Sequence, residues 1–151
     1  MEAVFKKIDG QVAMLDSDHC GSTACVAVVR REINHNVLYV ANAGDTRAVI
    51  SKNGVAERLS KDHKASDAQE AARVKAEGGS IMDGRVGGGL AITRAIGDHA
   101  FKNFGVTCLP YTVRHVLRPF DKFLVIASDG IWDVISDEDA VALCKEELNT
   151  K

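Results

Sequence analysis

The chain has 151 residues and a mass of 16.2 kDa, enough for one domain and too little for two ordinary ones. Apolar residues make up 46% and charged residues 26%, with only two prolines, a composition that excludes disorder as a description of the whole chain. Nineteen basic against 21 acidic side chains leave a net charge of −2, which excludes bulk electrostatic attraction to nucleic acid or to an anionic membrane surface.

No apolar run approaches the roughly 20 residues of a helical membrane span. The opening Met1-Glu-Ala-Val-Phe-Lys-Lys7 lacks the basic flank and long apolar stretch of a secretory signal. Cys20, Cys25, Cys108 and Cys144 form no CxxC pair. They are expected to be buried reduced thiols of an intracellular protein, cytoplasmic or nuclear, and neither a zinc site nor a disulfide framework.

Phe5, Ile8, Val12 and Leu15 share one face of a helix, weakened by Gly10. The pattern is already running at the first residues, so further chain is expected upstream. Thr23–Val29 reads as a buried strand ending at Arg30-Arg31, and Val37–Ala43 as another. Ala48–Ser51 and Val55–Leu59 flank Lys52-Asn53-Gly54, a hairpin signal. Ser66-Asp67-Ala68-Gln69 reads as a capping box, with a helix running through Glu77 to a stop at Gly78-Gly79. Ile81–Val86 holds a tight turn at Asp83-Gly84. Val106–Val116 and Phe123–Ala127 read as strands, the second apolar enough to be central. Ser136–Asp139 caps a last helix with Val141, Cys144 and Leu148 on one face. The class expected is α+β with antiparallel sheets.

Two strand ends deliver aspartates beside glycine: Tyr39-Val-Ala-Asn-Ala-Gly-Asp45 and Phe123-Leu-Val-Ile-Ala-Ser-Asp129-Gly-Ile-Trp-Asp133. A lone Asp next to Gly is ordinarily a turn residue. If the strand ends are neighbours, however, Asp45, Asp129 and Asp133 converge. Three carboxylates repel unless cations neutralise them, and all-oxygen ligation suits Mg²⁺ or Mn²⁺. His63 is read as holding a loop, Trp132 as core behind Asp129, and Lys61–Lys64 as a solvated loop of mixed charge. Gly84–Gly89 does not form a dinucleotide fingerprint.

Five blocks in order carry a family resemblance: Gly21-Ser-Thr-Ala24, Ala41-Asn-Ala-Gly-Asp-Thr-Arg-Ala48, Leu59-Ser-Lys-Asp-His-Lys64, Leu90-Ala-Ile-Thr-Arg-Ala-Ile-Gly-Asp98 and Ala127-Ser-Asp-Gly-Ile-Trp-Asp-Val134. The chain resembles the metal-dependent protein serine/threonine phosphatases of type 2C, from about Gly21 onward. The resemblance implies an antiparallel β-sandwich flanked by helices. It implies hydrolysis of phosphoserine and phosphothreonine in protein substrates by a water that Mn²⁺ or Mg²⁺ activates, with two or more ions in the complete domain. By match, Asp129 is a direct metal ligand, Asp45 belongs to an additional, weaker metal position, and Asp133 is a ligand to that extra ion or holds its waters. Residues from about 70 to 98 correspond to a flap beside the active site, with Arg94 at the substrate and Gly87, Gly88 and Gly89 giving it freedom to move. With such a substrate Arg47 and Arg94 are candidates to face phosphate, a surface or structural ion pair being the alternative for each.

The family's upstream Asp-Gly-His-Gly block, its earlier phosphate-binding Arg and its late Asp-Asn block have no match. Asp9-Gly10 lies within the helical pattern and is not assigned as the bridging ligand. The chain is therefore expected to be the middle and later part of one such domain. A non-catalytic phosphatase-like binding or scaffold module is the alternative reading. Exposed sheet edges are expected to make the segment marginally stable or prone to associate.

Overall fold

A computed structural model describes residues 1–15 and 17–150. Two three-stranded antiparallel sheets face each other. One holds β2 (Ala24–Glu32), β3 (His35–Ala43) and β9 (Tyr111–Val116) in the order β2-β3-β9. The other holds β4 (Arg47–Lys52), β5 (Val55–Arg58) and β10 (Asp121–Ala127) in the order β10-β4-β5. Helix α1 (Glu2–Ala13) covers the first sheet and α4 (Asp137–Asn149) the second.

The period-2 alternation of strand side chains builds these layers. Leu38 and Val40 of β3 meet Ala48 and Ile50 of β4 between the sheets, with Leu59 closing the cluster. On the far side of β3, Ala41 and Ala43 receive Phe5 of α1. On the far side of β4, Val49 packs against Trp132, Ala140 and Val141. Both middle strands are thus covered on both faces, which explains their near-continuous apolar sequences.

The β4–β5 hairpin turns at Asn53 (φ 54°) and Gly54 (φ 90°), the paired left-handed conformations that the Asn-Gly signal anticipates. Helix α2 (Ala68–Ala76) ends as expected: the Gly78 and Gly79 amides donate to the Lys75 and Val74 carbonyls, a Schellman stop. A separate small cluster of Ala65, Val74, Val86, Ala95 and Val106 holds α2 against two ribbons. One ribbon is β6 (Ile81–Met82) with β7 (Arg85–Val86); the other is β1 (Gly21–Ser22) with β8 (Ile96–Gly97).

Several expectations need correction. The cap of α2 is Asp67, whose carboxylate accepts the Gln69 and Glu70 amides, not Ser66. In α1 only Phe5 is buried; Ile8 and Leu15 are exposed, because the helix ends at Ala13 and only one turn lies over small Ala41 and Ala43. The strand after Pro110 begins at Tyr111; Pro lacks the amide a ladder needs, and Thr107 makes only an isolated bridge to Arg94. Among the described residues β10 pairs with β4 alone and so lies at a sheet edge; its apolar side chains are needed because it lies between the inter-sheet cluster and Trp132. Lys61–Lys64 is not a solvated loop, since His63 is fully buried and Asp62 is paired.

Candidate functional site

The register of β4 with β10 sets Arg47 opposite Ala127. The residues just before β4 therefore lie beside those just after β10. Asp45 leads into one strand and Asp129 follows the other. Ser128 then opens the single-turn helix α3 (Asp129–Trp132), which carries Asp133 round by one turn. Trp132 fixes that turn from below: its indole N–H donates to the Ala127 carbonyl at 2.7 Å, and the Arg47 guanidinium lies 5.1 Å above its ring.

The turn bearing Asp45 is held just as firmly. The Gly44 carbonyl accepts the His63 amide at 3.1 Å, His63 Nδ1–H at 3.0 Å and Asn42 Nδ2–H at 3.3 Å. The partner is a carbonyl, so the proton is on Nδ1, and His63 Nε2 is buried without a hydrogen-bond partner. Burial, aided by the Arg94 charge, lowers the His63 pKa to about 4. Asn42 also donates to the Lys61 carbonyl at 2.6 Å and accepts the Lys61 amide, tying the end of β3 to the loop after β5. Gly44 has φ +94°, and a Cβ there would lie 2.3 Å from Thr23 Cγ2, so glycine is required for both conformation and space.

Two of the three aspartates, Asp45 and Asp133, meet on Lys64. Its ammonium lies 3.1 Å from Asp133 Oδ1 and 3.6 Å from Asp45 Oδ2. Asp45 is 8% exposed, and burial raises its pKa; Lys64 opposes that rise and the nearby Asp129 charge adds to it. Asp129 and Asp133 face solvent. The donors are oxygens alone, the chemistry of a hard divalent ion. Among the described residues no three His, Cys, Asp or Glu side chains close into a metal-holding group; the ammonium of Lys64 stands between Asp45 and Asp133 instead.

The arginines take the structural alternative. Arg47 bonds both oxygens of Asp62 and donates to Asp137 Oδ1 at 2.6 Å. Burial works against the charge of Asp137, yet bonds from Arg58 and Arg47 hold its carboxyl below its usual value. Arg94, expected at the substrate, donates through Nε and Nη2 to Glu70 and through Nη1 to the Leu109 carbonyl. A guanidinium held on three sides ties α2 to the segment around Leu109 rather than reaching into solvent. Glu70, 3% exposed, also accepts from Thr93 Oγ1 at 2.6 Å and from Arg73. Against the cost of burial, these partners lower its pKa to about 2. Gly87 and Gly88 have positive φ, and Gly89 lies under the Phe101 ring, so at least the last of the three is packed.

Sequence reasoning passed over Lys64, Asn42, Glu70 and Asp137. Lys64 and Asn42 stand inside the quoted blocks. Glu70 and Asp137 look like first-turn helix acids, and nothing in their spacing reveals the arginines that bury them.

An α+β sandwich that gathers an acidic cluster at paired strand ends has clear relatives. A family profile described as Protein phosphatase 2C matches residues 2–151. The chain is 45% identical over 145 residues to Protein phosphatase 2C homolog 1 of Schizosaccharomyces pombe, covering 93% of this chain and 42% of that protein. It is 42% identical over 155 residues to Protein phosphatase 2C homolog 1 of Saccharomyces cerevisiae, covering 94% and 55%. Among solved structures, a serine-threonine phosphatase 2C from Toxoplasma gondii superimposes with a TM-score of 0.81 at 25% identity, covering 96% of this chain and 54% of the other. The chain belongs to the protein phosphatase 2C family. It spans between about two-fifths and just over half the length of these relatives.

Proposed function

We propose that the chain is the middle and later part of a phosphatase catalytic domain that hydrolyses phosphoserine and phosphothreonine in protein substrates with Mn²⁺ or Mg²⁺. Asp45, Asp129 and Asp133 hold the ions, and residues 70–98 form the flap. The observation that carries this reading is the meeting of Asp45 and Asp133 on one cation beside Asp129. When bound, such ions lower the pKa of water and offset charge on phosphoryl oxygens.

The residues of this chain supply position. Thr23 Oγ1 and Thr46 Oγ1 share a hydrogen bond of 2.5 Å, joining the residue before β2 to the turn that carries Asp45. The Gly44 carbonyl, with its three donors, fixes the direction in which Asp45 leaves the turn. The Trp132 bond to the Ala127 carbonyl and the Arg47 stack on its ring hold α3, which carries Asp129, and the turn to Asp133. The Glu70–Arg94 pair ties the two ends of residues 70–98 together.

Four unpaired cysteines, with burial raising the Cys25 thiol to about 11, support an intracellular setting. Val26, Val28 and Val29 of the β2 edge are exposed, which supports association through that edge.

The test is phosphopeptide hydrolysis by a chain extended to the length of its relatives. Activity is expected to require added Mn²⁺ or Mg²⁺ and to vanish in Asp129→Asn. Full turnover without divalent metal contradicts the reading. The 151-residue chain alone, assayed on nitrophenyl phosphate with excess Mn²⁺, is expected to be inactive; if the extended chain is inactive too, the binding-module alternative replaces it.

A further inference from the structure

We infer that Lys64 is a built-in counter-cation that competes with a divalent ion for Asp45 and Asp133, and so sets how tightly this position holds metal. The inference rests on the reading of these aspartates given above.

The ammonium is already where a cation is wanted. It touches Asp133 at 3.1 Å and Asp45 at 3.6 Å, and Asp45 is buried. A buried carboxylate with a second one nearby needs a compensating positive charge, and Lys64 provides it from within the fold.

The root of Lys64 is fixed on both sides. On one side His63 bonds the Gly44 carbonyl through its amide and its ring. On the other, Lys64 forms a β-bridge with Ile92, and the Ala65 amide donates to the Ala91 carbonyl at 2.7 Å. These anchors keep the Cα of Lys64 next to the Asp45 turn. The side chain beyond it is different: it is 37% exposed and has four flexible carbons. It can swing out without disturbing the backbone.

A divalent ion entering between Asp45 and Asp133 must therefore break two ion pairs and repel an ammonium. Asp129 makes no such pair with Lys64, so a ligand set centred on Asp129 feels Lys64 less. Lys64 acts as a selectivity element: it weakens cation binding at the Asp45–Asp133 side and leaves that side neutralised when no ion is present.

The experiment is calorimetric titration of Mn²⁺ into the 151-residue chain, comparing wild type with Lys64→Met, Lys64→Gln, Lys64→Arg and Asp129→Asn. Both neutral Lys64 variants are expected to bind Mn²⁺ roughly three- to tenfold more tightly, the change expected when one or two partly exposed ion pairs no longer have to break. Lys64→Arg keeps the charge and is expected to stay near wild type. Unchanged or weaker binding by the neutral variants, with wild-type binding still dependent on Asp129, overturns the inference and leaves the metal reading standing. No Mn²⁺ binding by any variant, or binding indifferent to Asp129→Asn, overturns the inference; whether the metal reading falls with it is decided by the Mn²⁺ dependence of the extended chain.

Discussion

Glu70→Gln removes one charge at the best-connected buried acid in the molecule. Glu70 is 3% exposed and receives bonds from Arg94, Arg73 and Thr93. Its pKa falls from 4.5 in the unfolded chain to about 2 in the fold. The folded state thus prefers the ionised form, and the unfolded chain takes up the proton first as pH drops. The stabilisation is complete above pH 4.5 and disappears as pH falls through about 2; it amounts to about 3 kcal/mol. Gln keeps the shape but leaves Arg94 and Arg73 without a buried anion, a change that costs about 3–5 kcal/mol at neutral pH. For a chain of this size that corresponds to a fall in melting temperature of about 10 °C. Urea unfolding followed through the fluorescence of the sole tryptophan, Trp132, measures it. The difference between wild type and variant should shrink steadily from pH 5 to pH 2. Equal stability at pH 7, or a difference that does not change with pH, refutes the account of Glu70 as an ionised hub.

Gly44→Ala is expected to destabilise by about 1–3 kcal/mol, because φ +94° and the 2.3 Å approach of Thr23 Cγ2 both oppose a Cβ. Adding Thr23→Ser, which deletes that methyl group, should recover part of the loss in a thermal melt, and no recovery would place the cost in the backbone conformation and in Thr23 Cβ, 2.6 Å from the same point. Arg47→Lys loses the two-oxygen grip on Asp62 and the stacking on Trp132; a loss of about 2 kcal/mol is expected from chemical denaturation. His63 is held neutral, its pKa moving from 6.5 when unfolded to about 4 when folded. Its contribution is therefore present above pH 6.5 and lost as pH falls through about 4, and histidine NMR should show no titration of this ring between pH 8 and 5.

Much of the fold could be read from the chain because it rests on local chemistry. Asn53-Gly54 dictates its own turn, Gly78-Gly79 its own helix stop, and the apolar run of Val37–Ala43 its burial. The approach of the Asp45 turn to the end of β10 also followed from antiparallel pairing of the two strands. What stayed hidden depends on partners distant in sequence. Arg94 looked like a phosphate ligand until the helix that brings Glu70 to it was in place. Lys61–Lys64 looked solvated because mixed charges ordinarily are, yet Asn42 and Arg47 draw that loop inward. β10 looked central because apolar content reports how many faces are covered and not how many strands are paired.

The pairing of Ala127 with Arg47 follows a register irregularity between Asp121 and Phe123. That irregularity sets the phase of everything downstream in β10. A single residue gained or lost between Phe123 and Ser128 would turn the strand's inward set outward and slide Asp129 away from Asp45. A residue inserted at Pro119 or Phe120, ahead of the irregularity, would be taken up by the connecting segment. Length changes in this protein should therefore be tolerated on one side of that irregularity and lethal on the other, although the two positions lie only a few residues apart.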